Sequence, residues 1–334
     1  GGLAVLASVR EPPSLTINGS VAYVADASGA RIRRMAWNAT DAAFGPPDTV
    51  AGSGSTGFAG DGGPALVARL EPYTSALTVQ GDALYIAQPL AQVVRAISFS
   101  TSTGIINTVL GVSYSAGDAA NGVLANIAKV RAPTGVAAEG GAGGTSALVV
   151  EGGQCRMRRI TGLDTASPVV TTLTTFNAST CRPNQWAYSA VIVDIPWGVC
   201  VIAQAGVIWC YNGTELRRVA GVITSPAFGG DGGDGGPAQM AFFLSPKSLA
   251  WDAWTGTLLV ADTGNHRIRR IMPDTLCLPP VLLSFRCFED TYHFYRCAAR
   301  GDWLFAPAFL AINGAWCSTL AQAGFGATTT FDAR

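Results

Sequence analysis

The chain has 334 residues, 22 Lys and Arg against 22 Asp and Glu, 49% hydrophobic residues and only 13% charged ones. That composition excludes a disordered chain, which needs few apolar side chains and a net charge to keep it open. It also argues against nucleic acid as a partner, because phosphate contacts need a positive footprint.

The first predicted element is a strand–turn–strand unit, Val21-Ala-Tyr-Val-Ala-Asp26 leading through a polar turn to Arg31-Ile-Arg-Arg34-Met. Apolar runs flanking a polar turn read as paired strands. A Gly-rich connection follows, with Val50-Ala-Gly52 and then Gly57-Phe-Ala-Gly60-Asp61-Gly-Gly-Pro64-Ala65. Further copies are Leu84-Tyr-Ile-Ala-Gln88 leading to Arg95-Ala-Ile97, and Leu148-Val-Val-Glu151 leading to Arg158-Arg159-Ile160. Val199-Cys-Val-Ile-Ala-Gln204 leading to Leu216-Arg217-Arg218-Val219 is the weakest copy. The connection recurs as Val219-Ala-Gly221, Phe228 and Gly233-Asp234-Gly-Gly-Pro237-Ala238. The fullest unit is Leu258-Leu-Val-Ala-Asp262-Thr-Gly-Asn-His266-Arg-Ile-Arg-Arg270-Ile. Taking positions 34, 96, 159, 218 and 270 as equivalent gives spacings of 62, 63, 59 and 52 residues.

Apolar residues come in short runs broken by Gly and Pro, not at helical spacing. One such unit cannot bury both faces of its sheet, whereas units set radially can. The expected fold is all-β, a β-propeller of five or six blades over residues 1–272. A disulfide-rich C-terminal module or extension is expected over 273–334.

The pattern V-A-G, then G-F-x-G-D-G-G-P-A, then A-D-T-x-N-H-R-I-R-R resembles NHL-repeat propellers, here of an extracellular type, over roughly residues 15 to 272. The family commonly closes with five or six blades. It includes a peptide-amidating lyase with histidine-bound zinc. Only His266 and His293 exist in this chain, and two histidines in unrelated segments do not supply that ligand set. Intracellular relatives bind RNA on a basic face, which the neutral charge here opposes. His266 falls where the family motif has His and reads as a turn residue.

The loops around Asp61 and Asp234 resemble calcium or phosphate cradles. No Lys-Ser/Thr and helix follow, and tandem nonapeptides are absent, so the glycines read as turns needing positive φ. The Arg pairs 33/34, 158/159, 217/218 and 269/270 are either an anion-binding ring or packing stems held by partners such as Asp26 and Asp262.

Eight cysteines without CxxC pairs argue for disulfides rather than a zinc site. Asn18, Asn38, Asn177 and Asn212 open Asn-x-Ser/Thr sequons and are candidate N-glycan sites. Both signals point to an extracellular or cell-surface, secreted protein. The start at Gly1-Gly2 reads as a processed or trimmed end. The apolar stretch 190–210 fails as a membrane span because Asp194, Pro196 and Gly198 interrupt it. A hairpin about Ala205, with Gly206 in the turn, sets Cys200 opposite Cys210 and predicts their disulfide. By elimination Cys155 pairs with Cys181. In the tail, Cys277, Cys287, Cys297 and Cys317 allow three pairings, and spacing does not choose among them. Aromatic residues cluster around them and read as core packing of the module or as a partner-binding face.

No G-x-S-x-G elbow or Ser/His/Asp set stands out, and no catalytic residue, metal site or cofactor is assigned. The expected function is a non-catalytic structural and protein-interaction glycoprotein that self-associates, a subunit of a surface layer or extracellular fibre. The alternative is a metal-dependent propeller hydrolase or lyase with a channel site.

Overall fold

The computed structural model describes residues 9, 12–41, 43–101, 103–139, 145–176, 193–195, 198–203, 206–222, 232–272, 282–289, 295–299 and 302–303. The fold is all-β and of the β-propeller class, with five blade sheets whose described strand pairs are all antiparallel. Two compact units divide the chain, residues 1–192 and 193–334.

The first unit holds three blades. Blade 1 contains β1 (Leu15–Asn18), β2 (Val21–Asp26) and β3 (Arg31–Asn38), with β4 (Ala43–Phe44) and β5 (Asp48–Ala51) both pairing β3. Blade 2 runs β6 (Ala76–Gln80), β7 (Ala83–Gln88), β8 (Val93–Ser98) and β9 (Ile105–Gly111). Blade 3 contains a short β10 (Val123–Leu124), then β11 (Pro133–Glu139), β12 (Ser146–Glu151), β13 (Arg156–Thr161) and β14 (Val169–Thr175). There β10 adds to the outer edge, beside β14.

The second unit holds two blades. Blade 4 is β15 (Val193–Ile195), β16 (Gly198–Ala203), β17 (Val207–Tyr211) and β18 (Leu216–Ala220). Blade 5 is β19 (Ser248–Asp252), β20 (Thr257–Asp262), β21 (Arg267–Ile271) and β22 (Leu282–Glu289). Its sheet continues into β23 (Tyr295–Ala299) and β24 (Asp302–Trp303). The sheet therefore runs on past residue 272, because Ile268–Ile271 pair with Leu282–Phe285.

Second strands explain why the repeats read as solid apolar runs. β2, β7 and β12 share one burial pattern, an intermediate residue followed by five buried ones. A strand covered on both faces has no polar side to alternate with. In the first unit, Tyr23, Ile32 and Ala51 of blade 1 pack on Leu77, Ile86, Ile97 and Ile106 of blade 2. On the other face of blade 2, Tyr85, Val94 and Leu110 meet Val136, Val149, Ile160 and Val170 of blade 3. Each buried Leu or Ile contributes roughly 1.5–3 kcal/mol.

Glycines close blades 1 and 2. Gly52 and Gly111 have φ of +92° and +100°. A Cβ on either would stand 2.2 Å from a carbonyl oxygen, that of Ala30 or Gln92, in the turn between the second and third strands.

One repeat alignment needs correction. Arg217 and Arg218 lie on β18, the fourth strand of blade 4, not on its third. The third strand is β17, where Trp209 occupies the third position that Arg33, Arg95, Arg158 and Arg269 occupy elsewhere. Leu-Arg-Arg-Val imitates the motif, but Arg217 is solvated and paired with Glu215, as suits an outer strand. Spacing from Val219-Ala-Gly221, which matches Val50-Ala-Gly52, carries the true register.

Candidate functional site

The recurring chemistry of the repeat gathers where a Gly-rich loop meets the third strand of the blade that follows it. Arg95, Arg158 and Arg269 are each 0% exposed. A buried guanidinium is costly unless paired and fully hydrogen-bonded. Arg95 donates from Nε and Nη2 to Asp61 Oδ1, at 2.9 and 2.5 Å. It also donates to the carbonyls of Arg69 (2.9 Å) and Ala59 (3.1 Å) and lies 4.7 Å over the ring of Phe58. Burial pulls the Arg95 guanidinium below its ordinary pKa, and the Asp61 charge opposes that pull.

Blade 5 repeats the hydrogen bonds of this latch and takes its ring from a different position. Arg269 Nε and Nη2 donate to Asp234 Oδ1 at 3.1 and 2.6 Å. The carbonyls of Phe242 and Gly232 accept, and the ring of Phe243 lies 4.6 Å away. Asp262, at the end of β20, adds a second carboxylate at 3.4 Å. Blade 3 solves the charge differently. Asn121 stands where the loops of blades 2 and 5 have Asp, and Arg158 takes Glu151 Oε1 at 3.3 Å with the carbonyls of Ala119 and Ala120. In blade 1, Arg33 pairs with Asp26 at 3.1 Å and donates to Thr49 Oγ1.

These contacts bear on the loop and arginine readings. Asp61 spends Oδ1 on Arg95 and Oδ2 on the Thr108 amide and hydroxyl, at 3.1 and 2.6 Å, so its carboxylate latches the loop to the blade. Two of the second arginines are held by carboxylates, Arg34 by Asp48 and Arg159 by Glu139 through two bonds of 2.6 Å. Arg218 donates to the carbonyls of Gly221 and Gln239. His266 is an exposed turn residue with φ +51°, its amide bonded to Thr263 O at 3.0 Å. Ala30, Gln92 and Cys155 take the same left-handed place in their turns. His293 lies outside the described residues. Among the described residues no three His, Cys, Asp or Glu side chains converge as a metal group.

The loops also expose apolar side chains, beside the exposed Arg69 and Lys129. Residues 61–70, 121–130 and 234–243 have one burial pattern, residue for residue. Each contains a short 3-10 turn, Ala65–Val67, Ala125–Ile127 and Ala238–Met240. The turn's first Ala is buried and its last residue protrudes, with Val67 67%, Ile127 59% and Met240 62% exposed. Tyr73 and Tyr114 are exposed as well. Tyr114 is held still: its hydroxyl donates to the buried Glu71, and Phe58 meets its ring edge-on at 6.4 Å. The hydrogen bond to Glu71, with burial and the Glu71 charge, pushes its phenol up to about 12. Sequence reading missed this pair, because neither residue belongs to the repeat motif.

Cys200 and Cys210 stand opposite each other on β16 and β17 and form the expected disulfide, with a Cα–Cα distance of 4.0 Å. Gly206 has φ +75°, as the hairpin requires. Cys155 is disulfide-bonded, and its expected partner Cys181 lies outside the described residues. So do Cys277, Cys317 and Asn177. Asn18, Asn38 and Asn212 are exposed, the first two as the last residues of β1 and β3 and the third just after β17. Asn38 Oδ1 accepts the Thr40 amide, and Asn212 Oδ1 accepts the amide and hydroxyl of Thr214. Asn18 Nδ2 donates to Gly81 O. No described helix is long and apolar enough to cross a membrane.

The NHL repeat family matches residues 243–271, which run from Phe243 through the Asp262 turn to Ile271. No curated protein sequence matches the chain. Among solved structures, an auxiliary nutrient binding protein from Bacteroides thetaiotaomicron is similar at 11% identity and TM-score 0.55, covering 88% of this chain and 62% of that one. A protein of unknown function from the same organism is similar at 12% identity and TM-score 0.54, covering 80% and 57%. The chain thus spans less than two thirds of either protein. A virginiamycin B lyase from Staphylococcus aureus shares 15% identity at TM-score 0.46, covering 82% and 69%. At these identities the likeness is one of fold. The blade sheets make this chain a β-propeller, and it carries a match to the NHL repeat at residues 243–271.

Proposed function

We propose that the chain is a non-catalytic, secreted NHL-propeller glycoprotein that binds protein partners and self-associates, as a subunit of a surface layer or extracellular fibre. One observation carries this reading. At the latches the charged groups are spent on holding loop to blade, while equivalent loop positions present Val67, Ile127 and Met240 to solvent. Exposed apolar side chains repeated on a rigid scaffold favour association over chemistry. The Cys200–Cys210 bridge and the bonded state of Cys155 favour an oxidising setting outside the cell. Asn38 at the end of β3 and Asn212 just after β17 are exposed to solvent, which favours N-glycans there.

The experiment is light scattering on the glycosylated, secreted protein across a wide concentration range, with metal analysis of the same sample. Concentration-dependent assembly without bound metal supports the reading. Monodisperse monomers at high concentration contradict self-association, and stoichiometric calcium or zinc contradicts the non-catalytic assignment.

A further inference from the structure

We infer that Cys287 and Cys297 form a disulfide stapling β22 to β23; with Cys155 joined to Cys181 as the sequence suggests, Cys277 and Cys317 are left to pair with each other. The inference rests on the extracellular reading above, because the bond needs an oxidising compartment. β22 and β23 pair antiparallel, with Cys287 opposite Cys297, between the pairs Arg286–Ala298 and Phe288–Arg296. Opposite residues of an antiparallel pair have Cα atoms about 4.5–5.5 Å apart, inside the span that a disulfide bridges. The chain already uses this arrangement once. Cys200 and Cys210 are also opposite, also ten residues apart, and bonded.

The position gives the bond a task. The first half of β22 pairs β21, through Leu282–Phe285, and the second half pairs β23. One strand thus completes blade 5 and founds an added hairpin at its outer edge. Edge strands slide easily, and a slip of one residue reverses every side chain. A covalent bond at the Cys287–Cys297 rung fixes that register. Chemically, the two thiols lose two protons and two electrons as the S–S bond forms. A thiol–disulfide oxidant of the secretory route, such as oxidised glutathione, takes them and is reduced to two thiols.

Trypsin provides an unusually direct test. Arg270, Arg286, Arg296 and Arg300 bound four fragments, 271–286, 287–296, 297–300 and 301–334, each carrying one of the four cysteines. The full chain, secreted into an oxidising medium, is quenched with N-ethylmaleimide and digested without reductant. The expected products are 287–296 joined to 297–300 and 271–286 joined to 301–334. A link from 287–296 to 271–286 or 301–334 overturns the pairing. Alkylated Cys287 and Cys297 beside an intact Cys200–Cys210 bridge overturn it alone. If Cys200 and Cys210 are alkylated too, the oxidising reading falls with it. In Cys287→Ser, one new thiol is expected, at Cys297. A new thiol at Cys277 or Cys317 instead also overturns the pairing.

Discussion

Asp61 and Arg95 lie 34 residues apart in sequence and meet at 2.5 Å, the first on a half-solvated loop and the second fully buried on β8. This pair ties a glycine-rich connection, which has little apolar surface of its own, to the blade that follows. Arg269 and Asp234 stand in the same relation in blade 5. The buried charge is therefore what gives the loop its shape, and the loop's carboxylate is what permits the charge to be buried.

The glycines at the strand ends and those in the loops serve different purposes, and substitution separates them. Gly111→Ala places a Cβ 2.2 Å from Gln92 O at φ +100°, so both contact and backbone oppose it. Gly122 has φ +78° with nothing within 4 Å. Gly122→Ala is expected to cost about 1 kcal/mol and Gly111→Ala clearly more. Thermal unfolding of the two variants ranks them, and equal losses would refute the close-packing role of Gly111.

The Cys200–Cys210 bridge closes a ten-residue separation in blade 4. Loop-closure entropy for so short a loop gives a stabilisation of about 2–3 kcal/mol. Cys200→Ser with Cys210→Ser should lower the unfolding midpoint of the second unit accordingly, with the first unit unchanged. Calorimetry that shows a shift in the first unit alone would contradict this assignment.

Tyr114 should titrate late. Its phenol is raised from 10.0 to about 12 by the Glu71 hydrogen bond, then burial. A raised folded value means this stabilisation is complete below pH 10 and is lost as pH climbs through about 12. Glu71→Gln is expected to bring the midpoint back by about one unit. Carbon-13 NMR of labelled tyrosine Cζ follows it directly. An unchanged midpoint in Glu71→Gln would rule out the hydrogen bond as the cause.

Much of the fold is legible in the sequence because the second strands are buried on both faces and so appear as short unbroken apolar runs. The Cys200–Cys210 hairpin is legible for a related reason: alternation about a glycine turn fixes the register. Blade 4 misleads, because Trp209 replaces the arginine of the third strand and Arg217-Arg218 on the next strand imitates it. The latches are half legible. Asp26, Glu151 and Asp262 stand close in sequence to their arginines, but Asp61 and Asp234 reach theirs through tertiary structure. Nothing local announces the Tyr114–Glu71 pair. Its two residues come from different loops outside the motif.

The central claim is that each buried arginine needs one carboxylate, from the loop or from the end of the second strand. Blade 3 uses Glu151 with Asn121 in the loop, and blade 2 uses Asp61 with Gln88 at the strand end. Gln88 is 0% exposed, and neither of its amide atoms has a hydrogen-bond partner among the described residues. Urea unfolding of Asp61→Asn, alone and combined with Gln88→Glu, tests the claim most directly. Asp61→Asn should lose about 2–3 kcal/mol, near the lower end for a broken buried pair because Asp61 is partly solvated. The double variant rebuilds the blade 3 arrangement in blade 2 and should regain most of that loss. A double variant no more stable than Asp61→Asn would contradict the account.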